Sequence, residues 1–565
     1  MTFWPDGHVA LVGEPRAGRS DLLEGLRRVL SSDAIRYTTP SELDFWMTTT
    51  EQRAEVEVVL GDLGSELEQD FIDHLEAWDH EQSDLFGSRP PTEAASSAEV
   101  EWVLRLCYRA EWDADQEQAT HWVDFPDESD PSAGTFVRVP KRLHDRLPVT
   151  VVESRRRPLR LHPRADFRRL LDSVGSRTIA DDFDNLVDSV ASAGEVLAKS
   201  ADLSSLVGEV LTPVAGPLGI DADDDGLVQF VPEGGSLSGL LRSLQPAIDL
   251  GPPGHLPLHR HGASSTALVQ AGEAIAALGQ PGMVLLVDDF GEDLDPISSE
   301  HLSATLRRHA GQAWISTRRS SSLGVFRVEE IVRLHTKSGG RLASQLDPPT
   351  TRAERIAMRH LSMQLLPAAS AATVAIVEGP HDRAALDALA RRRFLRSGEP
   401  LPASFGIAIV DAGAADGSGG ASSVVRLAGL ARNLGFHTVA VIDGDPGKAG
   451  EQALADAEAA ADCVVRLPDG FAVERAIVSA LDDGVLTKTL KMVCSATGAQ
   501  PPSGLDELSG RPLGKAVEKA LKSSGGLHAQ FVELLPRGRV PPRLRAVLEK
   551  IIDAGRQRLE GVEQL

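Results

Sequence analysis

Cysteine is scarce in this 565-residue chain: Cys107, Cys463 and Cys494 stand alone. They make neither a disulfide framework nor a paired zinc-ligand pattern, and a reducing cytoplasm is the compartment they fit. Aromatics are only 4% of residues and include just two tyrosines, Tyr37 and Tyr108. A base-stacking platform for single strands has little to build on. Basic residues are outnumbered, 58 Lys and Arg against 82 Asp and Glu, for a net charge of −24. That balance excludes coating of nucleic acid by the whole surface; any such contact must be local, through basic clusters or metal ions. No apolar run approaches the ~20 residues of a membrane span. The N-terminus lacks the basic-then-apolar order of a signal peptide, so no membrane partner is expected. No solenoid period recurs.

What is present is 42% hydrophobic residues, ample for sizeable cores, over a length that corresponds to roughly two to four domains. Residues 6–36 read strand, glycine loop, helix. Residues 54–63 read as a strand, 64–110 as mostly helical around a loop, and 111–162 as short strands with polar loops. A long amphipathic helical stretch or a helix pair covers 183–211. The apolar run 281–290 reads as a buried strand, with 312–319 as its neighbour. Past a polar, proline-containing boundary near 340–370 the rhythm changes. Strands at 373–379, 405–413, 437–445 and 463–470 alternate with helices, the pattern of a doubly wound parallel sheet. The expected fold is α/β. An N-terminal domain spans 1–345 with a helical insertion about 183–212, followed by a helical linker (346–370), a parallel-sheet domain (371–500) and a helical C-terminal region (501–565).

Gly13-Glu14-Pro15-Arg16-Ala17-Gly18-Arg19-Ser20 fits the phosphate-loop pattern G-x-x-x-x-G-K-S, except that Arg19 replaces lysine. Such glycines let backbone N–H groups close round phosphates, the helix N-terminus adds positive potential, and Ser20 is placed to hold Mg²⁺. Alone, the segment also fits an ordinary glycine turn. Residues 283–289 add an apolar strand ending in two carboxylates, Asp288 for Mg²⁺ and Asp289 where a glutamate usually orients water. Between them, His261-Gly262-Ala263-Ser264-Ser265 opens a helix. His255, His259 and His261 read as a polar loop and not as a metal site, because no cysteine is near and Pro257 breaks any helical face.

The order of loop, polar glycine segment and acidic strand resembles the ABC-type P-loop ATPases of the RecF, SMC and OLD (overcoming lysogenisation defect) lineage, over about residues 5–345. The resemblance implies ATP at Gly13, Gly18, Arg19 and Ser20, with Asp288, Asp289 and Arg318, the last in place of a switch histidine. Gly262 and Ser264 would contact the nucleotide of a partner subunit, which implies a homodimer or higher even assembly. Arg19, Asp289 and Arg318 each depart from the family pattern. Arginine is a planar fork where lysine is a point charge, and aspartate is one methylene shorter than glutamate. Nucleotide binding is therefore more secure than hydrolysis.

In the second half, Glu378 ends an apolar strand, Gly379 follows, and Asp382 lies four residues on. Asp443-Gly444-Asp445 ends another such strand. In an open α/β sheet the strand C-termini form the functional rim. Clustered carboxylates repel unless cations neutralise them, so Mg²⁺ or Mn²⁺ is the natural resident. Two such ions can clamp the attacking and leaving oxygens of a phosphodiester. Either motif alone also fits a solvated strand-end turn.

The pair, E-G-x-x-D then D-x-D, resembles a TOPRIM domain over about 370–500. A topoisomerase would need a tyrosine in this half, and a primase or recombination mediator a zinc module; neither is there. An ABC-type ATPase followed by TOPRIM is the arrangement of OLD nucleases, which the Gabija nuclease subunit shares. The resemblance implies metal ligands Glu378, Asp382, Asp443 and Asp445. Glu474 is either a further acid of the set or a helix-surface charge. A late catalytic lysine falls at Lys515, for which Lys519 and Lys522 compete, and a plain surface lysine is the alternative. Basic clusters at Arg155, Arg156 and Arg157, at Arg391, Arg392 and Arg393, and at Arg537, Arg539, Arg543 and Arg545 are candidates to guide a substrate. The expected function is a metal-dependent DNA endonuclease or nickase under the control of its ATPase module. The resemblance places it in bacterial defence against phage, alone or beside a helicase-like partner. A ribonuclease acting on tRNA and a nucleotide-sensing scaffold that cuts nothing remain alternatives.

Overall fold

The computed structural model describes residues 5, 7–45, 48–79, 84–86, 100–152, 159, 200–221, 227–231, 245–252, 254–278, 282–337, 340–352, 354–355, 358, 364–413, 420–444, 446–523 and 526–563. They form an α/β fold with mixed sheets. The chain separates into two compact units, and the division runs through the first strand, Val9–Gly13. One unit holds Pro5–Ala10 and Arg19–Val325; the other holds Leu11–Gly18 and Phe326–Leu565.

In the first of these units, Val284–Val287 runs parallel to Gln312–Ser316 on one side and to Val149–Val152 on the other. The apolar run is thus a strand between two neighbours, as its composition predicts. A second sheet is antiparallel, with Val100–Asp113 paired to Ala54–Leu60, Leu75–Asp79 and Gln118–Asp124. Here the sequence reading needs correction: among the described residues of the expected helical stretch, only Gly64–Asp70 is α-helix. The charges spread through 100–113 imitate a solvated helix face, but they pair across strands. Arg105 Nε donates to Glu76 Oε1 at 2.9 Å, Arg53 Nε to Glu111 Oε1 at 2.7 Å, and Arg109 bonds both Glu55 and the fully buried Asp124. Of the expected helical insertion, Ala201–Leu211 is an α-helix, and 183–199 lie outside the described residues.

The other unit carries a hairpin, Ile331–Lys337 with Gly340–Gln345, and a four-stranded sheet. The order in that sheet is Ile407–Asp411, Thr373–Val377, His437–Ile442, Cys463–Arg466, every pair parallel. Helices Pro380–Ser397, Ala421–Asn433 and Lys448–Ala460 connect the strands. Strand order therefore switches direction at Thr373–Val377: the next strand of the chain lies on one side of it and the one after that on the other. Such a switch point opens a crevice at the strand C-termini. The apolar strands Thr373–Val377 and His437–Ile442 are buried almost throughout. Four further helices, Asp483–Thr497, Gly510–Ser523, His528–Leu534 and Pro542–Glu563, add Leu490, Leu521, Phe531 and Leu548 to the same core. Of the expected linker helix, 356–357 and 359–363 lie outside the described residues, and Leu366–Ala368 is a 3-10 turn. Arg333 of the hairpin is buried. Its guanidinium donates to the carbonyls of Ala369, Ala371 and Leu434 and stacks on Phe436 at 3.7 Å. Among the described residues, no helix is long and apolar enough to cross a membrane.

Candidate nucleotide and metal sites

The phosphate-loop segment leaves the strand Val9–Gly13 and enters the helix Arg19–Leu30. Gly13 (φ 146°) has no alternative: a Cβ there would lie 2.0 Å from the carbonyl oxygen of Leu334. At Gly18 (φ 91°) a Cβ would lie 2.8 Å from Arg341 Nη1, a neighbour that sequence reasoning did not find. Ser20 Oγ donates to Asp288 Oδ1 at 3.1 Å. The same oxygen accepts from Ser316 Oγ at 2.6 Å. Ser20 and Asp288 are thus adjacent hard-oxygen groups, which suits them to share a Mg²⁺.

Asp289 follows in left-handed backbone (φ 48°). For a non-glycine residue this costs on the order of 1–3 kcal/mol and concentrates at functional sites. Its N–H donates to Ser316 Oγ at 2.8 Å, and Arg318 Nη2 approaches its carboxylate at 3.4 Å. Burial and the Arg318 charge pull the Arg19 guanidinium below its ordinary value, against Asp289, Asp288 and Glu292. Two arginines and three acids therefore share one neighbourhood. Gly262 is the N-cap of Ala263–Ala277, and Ser264 Oγ donates to the Asp293 carbonyl at 2.6 Å. His261 Nε2 is within reach of the carbonyls of Ile248 and Leu256, the role of a loop-fixing histidine.

Glu378 and Asp443 follow neighbouring parallel strands. The N–H of Asp443 donates to Glu378 Oε1 at 2.8 Å. Asp382, in the first turn of Pro380–Ser397, accepts from the Gly379 N–H at 2.9 Å. Glu378, Asp382 and Asp443 line one small pocket together with Val377, Val441, Leu544 and Val547. Burial pushes the Asp382 carboxyl up to about 7, with the nearby Glu378 and Glu474 charges adding and the Gly379 bond and His528 opposing. Asp445 lies outside the described residues.

Among the described residues no three His, Cys, Asp or Glu side chains are gathered as a metal cage. The donor set nevertheless fits a hard divalent cation, because Glu378, Asp382 and Asp443 offer only carboxylate oxygen, the ligand such ions prefer.

Glu474, at the start of Val473–Val478, is buried. His528 Nε2 meets its Oε1 at 3.1 Å and Lys522 Nζ its Oε2 at 3.2 Å. His528 is fully buried and stacked on His381, ring centroids 4.7 Å apart. The lysine brought to Glu474 is therefore Lys522; Lys515 is exposed on the same helix, two turns earlier.

The basic clusters divide. Arg155, Arg156 and Arg157 lie outside the described residues. Arg392 is buried, giving its hydrogen bonds to the carbonyls of Glu533, Leu535, Pro536 and Arg539. Arg393 pairs with Glu399 and Glu549. Both serve packing, and Arg391 reaches Glu533 at 3.7 Å. Arg543 stacks on Phe471 at 3.8 Å and Arg475 at 4.6 Å. The Phe471 carbonyl accepts from the Gly444 N–H at 2.8 Å, so these two cations sit close to the end of the Asp443 strand. Arg475 carried no sequence signal, being one arginine in a helix turn.

No family model and no curated protein matches the chain. Among solved structures it is similar to an SMC head bound to the C-winged helix domain of ScpA, at 13% identity over 62% of this chain and 93% of that one, TM-score 0.35. It is similar also to the SMC head domain from Thermotoga maritima (10% identity, 61% and 93%, TM-score 0.27). A third is an SMC head domain with an extended coiled coil bound to the C-terminal domain of ScpA, derived from Pyrococcus furiosus (12%, 64% and 94%, TM-score 0.34).

Proposed function

We propose that the chain is a metal-dependent DNA endonuclease or nickase governed by nucleotide at an ABC-type phosphate loop. The observation that carries this reading is the pocket that Glu378, Asp382 and Asp443 line at the ends of adjacent parallel strands. Those three, with Asp445, would hold Mg²⁺ or Mn²⁺ in a TOPRIM-type site. A divalent cation there supplies Lewis-acid polarisation of a phosphodiester and neutralises charge on it. Lys522, held by Glu474, brings a cation that would stabilise charge on the cleaved phosphate, the role that the resemblance gave to Lys515. Glu474 is then the residue that orients Lys522 and not a metal ligand. Arg475 and Arg543 offer a local basic contact that an acidic protein needs if it is to bind DNA.

At the phosphate loop, Ser20 and Asp288 support Mg²⁺–ATP binding. The Arg318–Asp289 pair engages the acid that would otherwise orient water, which favours slow turnover. A homodimer in which Gly262 and Ser264 reach the other subunit's nucleotide, a role in anti-phage defence and a helicase-like partner accompany this reading. The test is one gel. Purified protein is incubated with supercoiled plasmid and, separately, with tRNA, in Mg²⁺, Mn²⁺ or chelator. Cation-dependent conversion of plasmid to nicked or linear form supports the proposal. Cleavage of tRNA alone makes the protein a ribonuclease, and cleavage of neither makes it a scaffold.

A further inference from the structure

We propose that Arg558, in the last helix of the chain, is a positioning residue for the phosphate loop, and that its helix couples that loop to the carboxylate pocket. This rests on the nucleotide reading above. Glu14 is the first residue after Gly13 and is buried. Arg558 meets its carboxylate with both prongs, Nη1 to Oε2 and Nη2 to Oε1, each at 3.0 Å. Arg558 Nη2 also donates to the Thr336 carbonyl at 3.1 Å. The Thr336 N–H in turn donates to Glu14 Oε1 at 2.6 Å. Burial by itself would raise the Glu14 pKa, yet the bonds from Arg558 and Thr336 outweigh it and hold the group below its ordinary value. The carboxylate is charged and fixed.

A buried carboxylate in a loop that must bind a polyanion is an electrostatic liability unless it is neutralised and held in place. The fork of Arg558 does both. A planar guanidinium can do so with two parallel bonds, where a lysine would make one.

The helix Pro542–Glu563 then connects two places. Near its start, Leu544 and Val547 line the pocket of Glu378, Asp382 and Asp443. Eleven residues beyond Val547, roughly 16 Å along an α-helix, Arg558 grips Glu14. Leu548, Ile551 and Ile552, between them, are buried in the core that contains Val377 and Val441. A nucleotide that shifts Glu14 must break or move the Arg558 fork, and a packed helix transmits that shift. Binding at the loop and ion binding at the pocket are then linked reciprocally.

The test uses the full chain and a non-hydrolysable ATP analogue with Mg²⁺. Affinity is measured by calorimetry, and hydrogen–deuterium exchange is followed over residues 542–552, with and without the analogue. Wild type should bind and change its exchange in that segment. Arg558→Met should bind at least about tenfold more weakly, the loss of a charged hydrogen bond. At saturating analogue its residues 542–552 should no longer respond. Arg558→Lys, which keeps the charge but not the fork, should fall between the two, and it carries the test if Arg558→Met does not fold. A merely structural arginine would lower the melting temperature and leave affinity and exchange response as in wild type; that result overturns the inference alone. If wild type binds no analogue, the nucleotide reading fails and the inference with it.

Discussion

The backbone N–H of Asp443 donates to Glu378 Oε1 at 2.8 Å. One carboxylate is thereby held against the turn that presents the next, across two strands that the sheet order makes neighbours. The bond orients Glu378 without cancelling its charge. Asp382 shares that pocket, and burial first, then the Glu378 and Glu474 charges, raise its carboxyl above the ordinary value.

Lys522 and Lys515 should separate cleanly. Lys522→Ala should lower plasmid cleavage by about 10²–10³-fold, the usual loss when a preorganised group that stabilises transition-state charge is removed. Lys515→Ala should lower it by less than about threefold, within the range of a minor surface effect. Rates of nicking under single-turnover conditions check both. Equal losses would return the role to Lys515.

Nucleotide binding should depend on the Ser20–Asp288 pair. Ser20→Ala should weaken Mg²⁺–ATP binding by roughly tenfold or more, the loss of a metal-linked hydrogen bond. Hydrolysis by wild type should stay well below the ~1 s⁻¹ that is the low end for ordinary enzymes. Calorimetry and phosphate release measure the two. Brisk turnover that vanishes in Asp289→Asn would show that the aspartate and both arginines are tolerated.

Glu14 makes stability depend on pH in a defined direction. Its folded pKa lies below the ordinary carboxylate value. Its contribution is therefore full above the unfolded pKa of about 4.3 and is lost as pH falls through the lower, folded value. At neutral pH, Glu14→Gln should cost about 3–5 kcal/mol, because it leaves the partly buried Arg558 without its counter-charge. The gap between wild-type and Glu14→Gln denaturation curves should be largest near pH 7 and should shrink below pH ~4. A gap that grows on acidification would contradict the pairing.

Arg392 should matter to the fold and not to DNA. Its four carbonyl partners would lose their donor in Arg392→Ala, costing at least about 3 kcal/mol. DNA affinity of the folded fraction should stay at the wild-type value. A stable variant with lost DNA binding would restore Arg392 to the guiding cluster.

Much of this was legible in the sequence. The four strands from Thr373 to Arg466 are short, apolar and separated by helices, so their period and spacing sufficed. Their strand-end acids followed from the same pattern. The Val284–Val287 strand and its neighbour were legible for the same reason. The strand Val100–Asp113 was not, because its charges are satisfied by Glu55, Glu76 and Asp124, partners that only the folded sheet supplies. Arg392 misled in the opposite sense, as an arginine whose acceptors are loop carbonyls far along the chain. Lys522 could be separated from Lys515 only by the position of Glu474. Arg558 gave no signal at all, since its partner lies 544 positions away.

The most direct measurement is the conversion of supercoiled plasmid to nicked circles in Mg²⁺ or Mn²⁺, by wild type and by Asp443→Ala with Asp445→Ala, both shown to be folded and of the same assembly size. The account predicts cation-dependent nicking by wild type, none in chelator and none by the double variant. Nicking by the double variant at the wild-type rate would contradict it.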